Sequence, residues 1–189
     1  MALLLSLRGT PCIYQGEELG LTEADIPYEQ LVDPYGIAFW PTFKGRDGCR
    51  TPMPWEHAHP QAGFTQPEQR PWLPIPDDHQ TRSVDLQAAR PDSLLQKNTV
   101  LIQLHRTTPA LHSDRIEVLE SPEDLLVFER GEGEDTLLCV FNLSSEPIEY
   151  AMPERWQRGA CLQNSGKSPE VTNQGTWLYP AWSWQWLTA

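Results

Sequence analysis

Two stretches of the chain concentrate residue types that can do chemistry. The first, Tyr14-Gln15-Gly16-Glu17-Glu18, sets two carboxylates just beyond a short apolar run. Hydrolysis of a glycosidic bond by an acid and a nucleophile needs two carboxyl groups facing each other, roughly 5 to 5.5 Å apart in a retaining enzyme. Successive strand residues point to opposite faces, so Glu17 and Glu18 form such a pair only if the turn reorients one of them. The alternative is that both bond to loop backbone. The second stretch is Gly45-Arg46-Asp47-Gly48-Cys49-Arg50-Thr51-Pro52-Met53-Pro54-Trp55. A guanidinium offers a rigid fork of donors that fits a carboxylate or two vicinal sugar hydroxyls. Arg46, Asp47 and Arg50 therefore read either as a clamp that stiffens a loop or as ligand contacts.

Other polar clusters carry less. Glu56-His57-Ala58-His59 has no third ligand at a spacing that completes a metal site, so no metal is expected. Asp77-Asp78-His79 reads as a solvated loop. Trp182, Trp184 and Trp186 alternate with Ser183, Gln185 and Leu187, which predicts three indoles on one strand face. Such a face either stacks on sugar rings or packs as core.

The elements that must position these residues follow from pattern. Residues 1 to 7 form an apolar run that can close a helix before Gly9-Thr10-Pro11 breaks it. Cys12-Ile13-Tyr14 reads as a buried strand, and Gly16 permits the turn after it. From Leu21 to about Arg90 the chain is rich in loops, with one short helix predicted over Tyr28 to Val32, as for an excursion over a site. Asp92 and Ser93 can cap a helix whose apolar positions Leu94, Leu95, Leu101, Ile102 and His105 share a face and which ends before Pro109. Beyond Ser113 the pattern predicts strands over 116–119, 125–129, 136–142, 176–179 and 183–187, with turns at Gly131-Glu132-Gly133 and Asn164-Ser165-Gly166. That spacing predicts a small antiparallel sandwich.

Composition excludes some classes of partner. The 189 residues carry a formal net charge of −12, which repels phosphates, so neither nucleic acid nor an anionic membrane surface is expected. A neutral sugar is compatible with that charge. Cys12, Cys49, Cys139 and Cys161 form no CxxC pair, and free thiols in a cytoplasmic protein are the expectation. The apolar opening is too short to span a bilayer and lacks a basic flank.

The run LLLSLRGTPCIYQGEELGL resembles the eighth-strand region of glycoside hydrolase family 13. GRDGCRTPMPWE resembles the GRDxxRTPMxW motif of its α-glucosidase and oligo-1,6-glucosidase-like members, departing from the commoner RDNxRTPMQW at Gly48 and Pro54. Ser83-Val84-Asp85-Leu86-Gln87 with Asp92-Ser93-Leu94-Leu95 is similar to the stretch that leads into the last barrel helix.

The resemblance implies an α/β plus all-β fold: residues 1–112 as the end of a (β/α)8 barrel and 113–189 as a C-terminal β-sandwich. It implies a bacterial, cytoplasmic, exo-acting retaining α-glucosidase acting on short α-glucosides, with or without transglucosylation, and needing no cofactor. In such relatives the catalytic Asp, Glu and Asp precede the segment that matches Met1, so the chain is expected to be inactive alone. A full barrel needs at least about 200 residues. The resemblance further implies substrate contacts from Arg50, at the 4-hydroxyl of a terminal glucose, and from Arg46 and Asp47, with Glu18 and Gln15 as supporting site architecture. A lone eighth strand would leave an open edge, so self-association is expected. The competing reading is a non-catalytic carbohydrate-binding or scaffold module built on the sandwich.

Overall fold

The computed structural model describes residues 1–189. Its elements are helices α1 (Ala2–Ser6), α2 (Pro34–Ala38), α3 (Asp77–Gln80), α4 (Val84–Ala88), α5 (Leu94–Thr107) and α6 (Pro109–His112). The strands are β1 (Ile116–Val118), β2 (Leu125–Glu132), β3 (Asp135–Asn142), β4 (Ile148–Tyr150), β5 (Ala160–Asn164), β6 (Glu170–Val171), β7 (Trp177–Tyr179) and β8 (Trp184–Thr188). Packing divides the chain into two compact units, Met1–Pro11 with Leu101–Ala189, and Cys12–Val100.

The first unit is built on a five-stranded sheet of order β1-β2-β3-β8-β5 and a three-stranded sheet of order β4-β7-β6. Every pair in both sheets is antiparallel. The period of two along a strand explains the apolar run Leu137 to Phe141, because both faces of the larger sheet are covered. Leu137, Cys139 and Phe141 join Phe128 and Trp186 in a core closed by Ala2, Leu5, Leu101, Ala110 and Leu111. Leu138 and Val140 point the other way, with Leu125, Val127 and Leu187, onto Tyr150, Trp156 and Tyr179. Register follows from that alternation: Cys139 lies opposite both Phe128 and Trp186. Helix α1 and the second half of α5 bury apolar side chains on this sheet, so the compact unit resumes at Leu101.

Arg130 sits in β2 on the face toward the helices and is buried. Its guanidinium donates to the Ser6 carbonyl, to Leu111 O at 3.1 Å and to Ser113 O at 2.6 Å, while Nε donates to Arg115 O at 3.2 Å. Carbonyls at the ends of α1 and α6 are orphaned by helix geometry, and this one side chain satisfies them.

Several expectations change. The five strands predicted from pattern form, with ends shifted by up to three residues. The turn joining β2 to β3 is Gly133-Glu134, since Glu132 pairs with Asp135. Strands β4, β5 and β6 were not predicted. No strand forms over Cys12-Ile13-Tyr14. A strand needs a neighbour to satisfy its backbone, and none pairs with these residues; Cys12 and Tyr14 are exposed. The predicted helix over Tyr28 to Val32 is a single 3-10 turn, Tyr28–Gln30. Trp182 does not share the face of Trp184 and Trp186. It precedes β8, is 62% exposed and adopts φ 51°, a left-handed conformation that costs a side-chain-bearing residue roughly 1–2 kcal/mol.

The second unit has little regular structure and a small apolar cluster of Ile26, Leu31 and Leu73. Buried polar side chains hold it instead. Gln87 Nε2 donates to Leu19 O and Arg82 O, both at 2.9 Å, and its Oε1 accepts from Leu95 N at 3.1 Å. The best-predicted helix, α5, begins where Ser93 Oγ accepts from Gln96 N at 3.2 Å, as an N-cap should.

Candidate functional site

The arginine-rich stretch folds around two buried aspartates. Asp33 caps α2, where Pro34 occupies the first turn and the Asp33 side chain accepts from Tyr35 N. Its other oxygen accepts from Arg46 N at 2.8 Å and lies 3.4 Å from Arg46 Nε. Two glycines make this approach possible. A Cβ on Gly45, whose φ is +76°, would lie 2.9 Å from Gly36 Cα and 3.0 Å from Asp33 Oδ2, so only glycine lets the two backbones meet here. The Arg46 N–H is the main cause that holds the Asp33 carboxyl below the usual carboxylate range, against the opposing effect of burial.

Asp47 is wholly buried. One oxygen accepts from Val32 N at 2.7 Å and Asp33 N at 2.8 Å, and the other receives Arg50 Nη2 at 2.6 Å. Arg50 Nη2 is also 3.7 Å from Asp33 Oδ2. The Arg50 guanidinium lies over the Trp72 ring, 5.5 Å from its centroid. The side chain stays 31% exposed, so Arg50 is oriented from two sides while some of its N–H groups remain open to a ligand. Arg46 is largely exposed, with its backbone and Nε tied to Asp33.

The structure thus brings Arg46, Asp47 and Arg50 together. Both Asp47 oxygens are engaged inside the protein, on Val32 N, Asp33 N and Arg50 Nη2, which is the arrangement of a clamp. Asp33 and Trp72 are neighbours of Arg50 that sequence reasoning missed. Asp33-Pro34 is a helix-start signal that could have drawn attention to Asp33. Trp72 carried no local signal.

The glutamates resolve to the alternative of bonding their own loop. Gly16, with φ 91°, opens a 3-10 turn over Glu17–Leu19. Glu17 Oε2 accepts from Tyr14 N at 3.3 Å, and Glu18 Oε2 accepts from Gly16 N at 2.8 Å. Asn98 Nδ2, on the buried face of α5, donates to Glu18 O at 3.2 Å. Each carboxylate thus accepts from backbone N–H of its own loop. A cavity of about 210 Å³ lies beside the turn, lined by Gln15, Glu17, Cys49, Thr51 and His79 among others. His79 is buried rather than solvated. Its Nε2 donates to Thr22 O at 2.9 Å, and its Nδ1 shares a hydrogen bond of 3.2 Å with Thr51 Oγ1. The RTPM segment is thereby tied to the end of the glutamate loop. His57 and His59 bond to the carbonyls of Gln80 and Pro60 at 3.1 and 2.8 Å.

Residues 1–114 match the model of the α-amylase catalytic domain. The chain belongs to that family. Among the relatives of this α-amylase family chain is a probable α-glucosidase of Rhizobium meliloti, 45% identical over 181 residues, covering 96% of this chain and 32% of the relative. An oligo-1,6-glucosidase of Heyndrickxia coagulans is 32% identical over 80% of this chain and 30% of its own length. Among solved structures, the α-glucosyl transfer enzyme XgtA superposes with a TM-score of 0.85 at 40% identity, covering all of this chain and 34% of that one. The trehalulose synthase MutB, at 23% identity and a TM-score of 0.81, shares the fold. The chain spans about a third of the length of these relatives. No helix in it is long and apolar enough to cross a membrane.

Proposed function

We propose that this chain supplies one wall of the sugar pocket of an exo-acting, retaining α-glucosidase that takes short α-glucosides. Residues 1–112 form the end of its catalytic barrel domain and 113–189 its closing β-sandwich. The observation that carries this reading is Arg50, pinned by the buried Asp47 carboxylate and the Trp72 face, with donors left toward solvent. A fork fixed in this way can hold two hydroxyls of a terminal glucose without the entropic cost of ordering a free side chain. Asp47 and Asp33 position it, Arg46 borders it, and Glu18 with Gln15 shape the adjoining loop.

In this reading the nucleophile and the acid/base are residues outside this chain, because Glu17 and Glu18 are turned onto their own backbone. Water and a second sugar are then alternative acceptors of the glycosyl-enzyme, and likeness to a glucosyl transfer enzyme favours some transglucosylation. The protein works in the cytoplasm on a neutral substrate and uses no cofactor.

The test replaces the matching third of the Rhizobium meliloti relative by this chain and assays p-nitrophenyl α-glucoside. Hydrolysis is expected in the chimera and not in the 189 residues alone. Arg50→Ala in the chimera should lower kcat/KM about 100-fold, the scale of one charged hydrogen-bonding fork, and Arg50→Lys should recover only part of it. Turnover by the chain alone that vanishes in Glu17→Gln would place the chemistry here and defeat the proposal.

A further inference from the structure

We propose that Trp182, at one end of the β unit, is a binding platform for a glucose ring of an α-linked oligosaccharide. Trp182 is held but not packed. Its backbone N–H donates to Ser144 O at 3.0 Å, and the next residue's carbonyl accepts from Asn142 N at 2.8 Å. Asn142 Nδ2 further donates to Glu146 O, Tyr179 O and Pro180 O at 2.8 to 3.1 Å, which fixes the loops on both sides of the indole. The φ of 51° is one that L side chains rarely adopt. Two and four residues later, Trp184 and Trp186 turn inward and pack at 5.6 Å. The sequence therefore keeps, at a strained and exposed position, the largest apolar side chain, where glycine would fit without strain.

The chemistry around the ring suits a pyranose, whose C–H face stacks on an indole while its hydroxyls seek donors at the rim. Lys167 Nζ donates to Ala181 O at 3.0 Å, which sets an ammonium with further N–H groups at the residue that precedes Trp182. The size of the patch argues for a ring-sized occupant. An indole buries at most roughly 250 Å², whereas a stable protein interface needs roughly 800 Å² a side. The net charge of −12 disfavours phosphorylated ligands. The choice of α-linked glucose rests on the function proposed above; the platform itself does not depend on Arg50.

The test titrates the 189-residue chain with maltotriose while the indole N–H signals of its eight tryptophans are followed by NMR, the Trp182 signal being assigned by its loss in Trp182→Gly. A saturable, millimolar shift at Trp182 is expected. It should persist in Arg50→Ala and weaken in Lys167→Ala. Trp182→Gly should abolish saturable shifts at the neighbouring signals while leaving the thermal midpoint unchanged or higher. A Trp182 signal unmoved at tens of millimolar maltotriose overturns the proposal, as does a response that disappears in Arg50→Ala. Failure of the chimera assay with the Trp182 shift intact would remove the glucosidase reading and leave the platform standing.

Discussion

Replacing Asp47 by alanine removes the acceptor on which three donors converge, and the structure gives the cost. The Asp33 N–H, 2.8 Å from Asp47 Oδ2, is buried, and an unmet buried donor costs about 1–3 kcal/mol. The Val32 N–H, at 2.7 Å, belongs to a residue 45% exposed and can turn to water, so its loss counts for less. Arg50 loses a 2.6 Å charge-assisted bond but keeps Trp72 and its own access to solvent. Together these give a destabilisation of about 3–4 kcal/mol for the Cys12–Val100 unit. Asp47→Asn keeps one oxygen for the two backbone donors but sets an NH₂ against the guanidinium, and should cost about 2 kcal/mol. Urea unfolding should rank the proteins parent, Asn, Ala, and amide exchange at Val32 and Asp33 should quicken most in the alanine variant. The double variant with Arg50→Ala should cost less than the sum of the two, since both remove one contact. An alanine variant within about 0.5 kcal/mol of the parent, with unchanged exchange at these two amides, would refute the argument.

Two further outcomes follow from other polar groups. Arg130→Met leaves the Ser6, Leu111 and Ser113 carbonyls without their donor, and should lower the stability of the β unit by about 3 kcal/mol in urea unfolding. A change below about 1 kcal/mol would mean that water replaces the guanidinium. Asp33 and Asp85 both titrate below the usual carboxylate range, Asp33 chiefly through the Arg46 N–H and Asp85 chiefly through the Ser83 hydroxyl. A depressed folded pKa stabilises above the unfolded value of about 3.9 and loses that contribution as pH falls through the folded value. Thermal midpoints of the Cys12–Val100 unit should therefore fall as pH drops below about 4, and less steeply in Asp33→Asn and Asp85→Asn; equal slopes in parent and variants would count against it.

Much of the β unit was legible because alternation with period two is a local property. The residues of β2, β3 and β8 face two covered sides, and their apolar runs state as much. Helix α5 was legible from its cap and its apolar face, although Asn98, buried on that face and bonded to Glu18 O, breaks the pattern. Strands β4 and β6 span only three and two residues, and β5 lies at the edge of its sheet with a register shift at Cys161/Gln163, so none of them shows a sustained alternation that sequence could reveal. The strand expected over Cys12 to Tyr14 failed for the converse reason: its composition is right, but composition supplies no neighbour.

At the candidate site, residue types and the stiff, glycine-rich spacing identified Arg46, Asp47 and Arg50 from sequence alone. What they do could not be read there, because clamp and ligand contact use the same chemistry. Burial of Asp47, the convergence of Val32 and Asp33 on it, and the stacking of Arg50 on Trp72 are what support the proposed division, in which the carboxylate positions and the guanidinium binds. The decisive quantity is how much of each charged group still meets solvent. Contacts across fourteen to twenty-two residues of irregular chain set that exposure, and only the folded chain contains them.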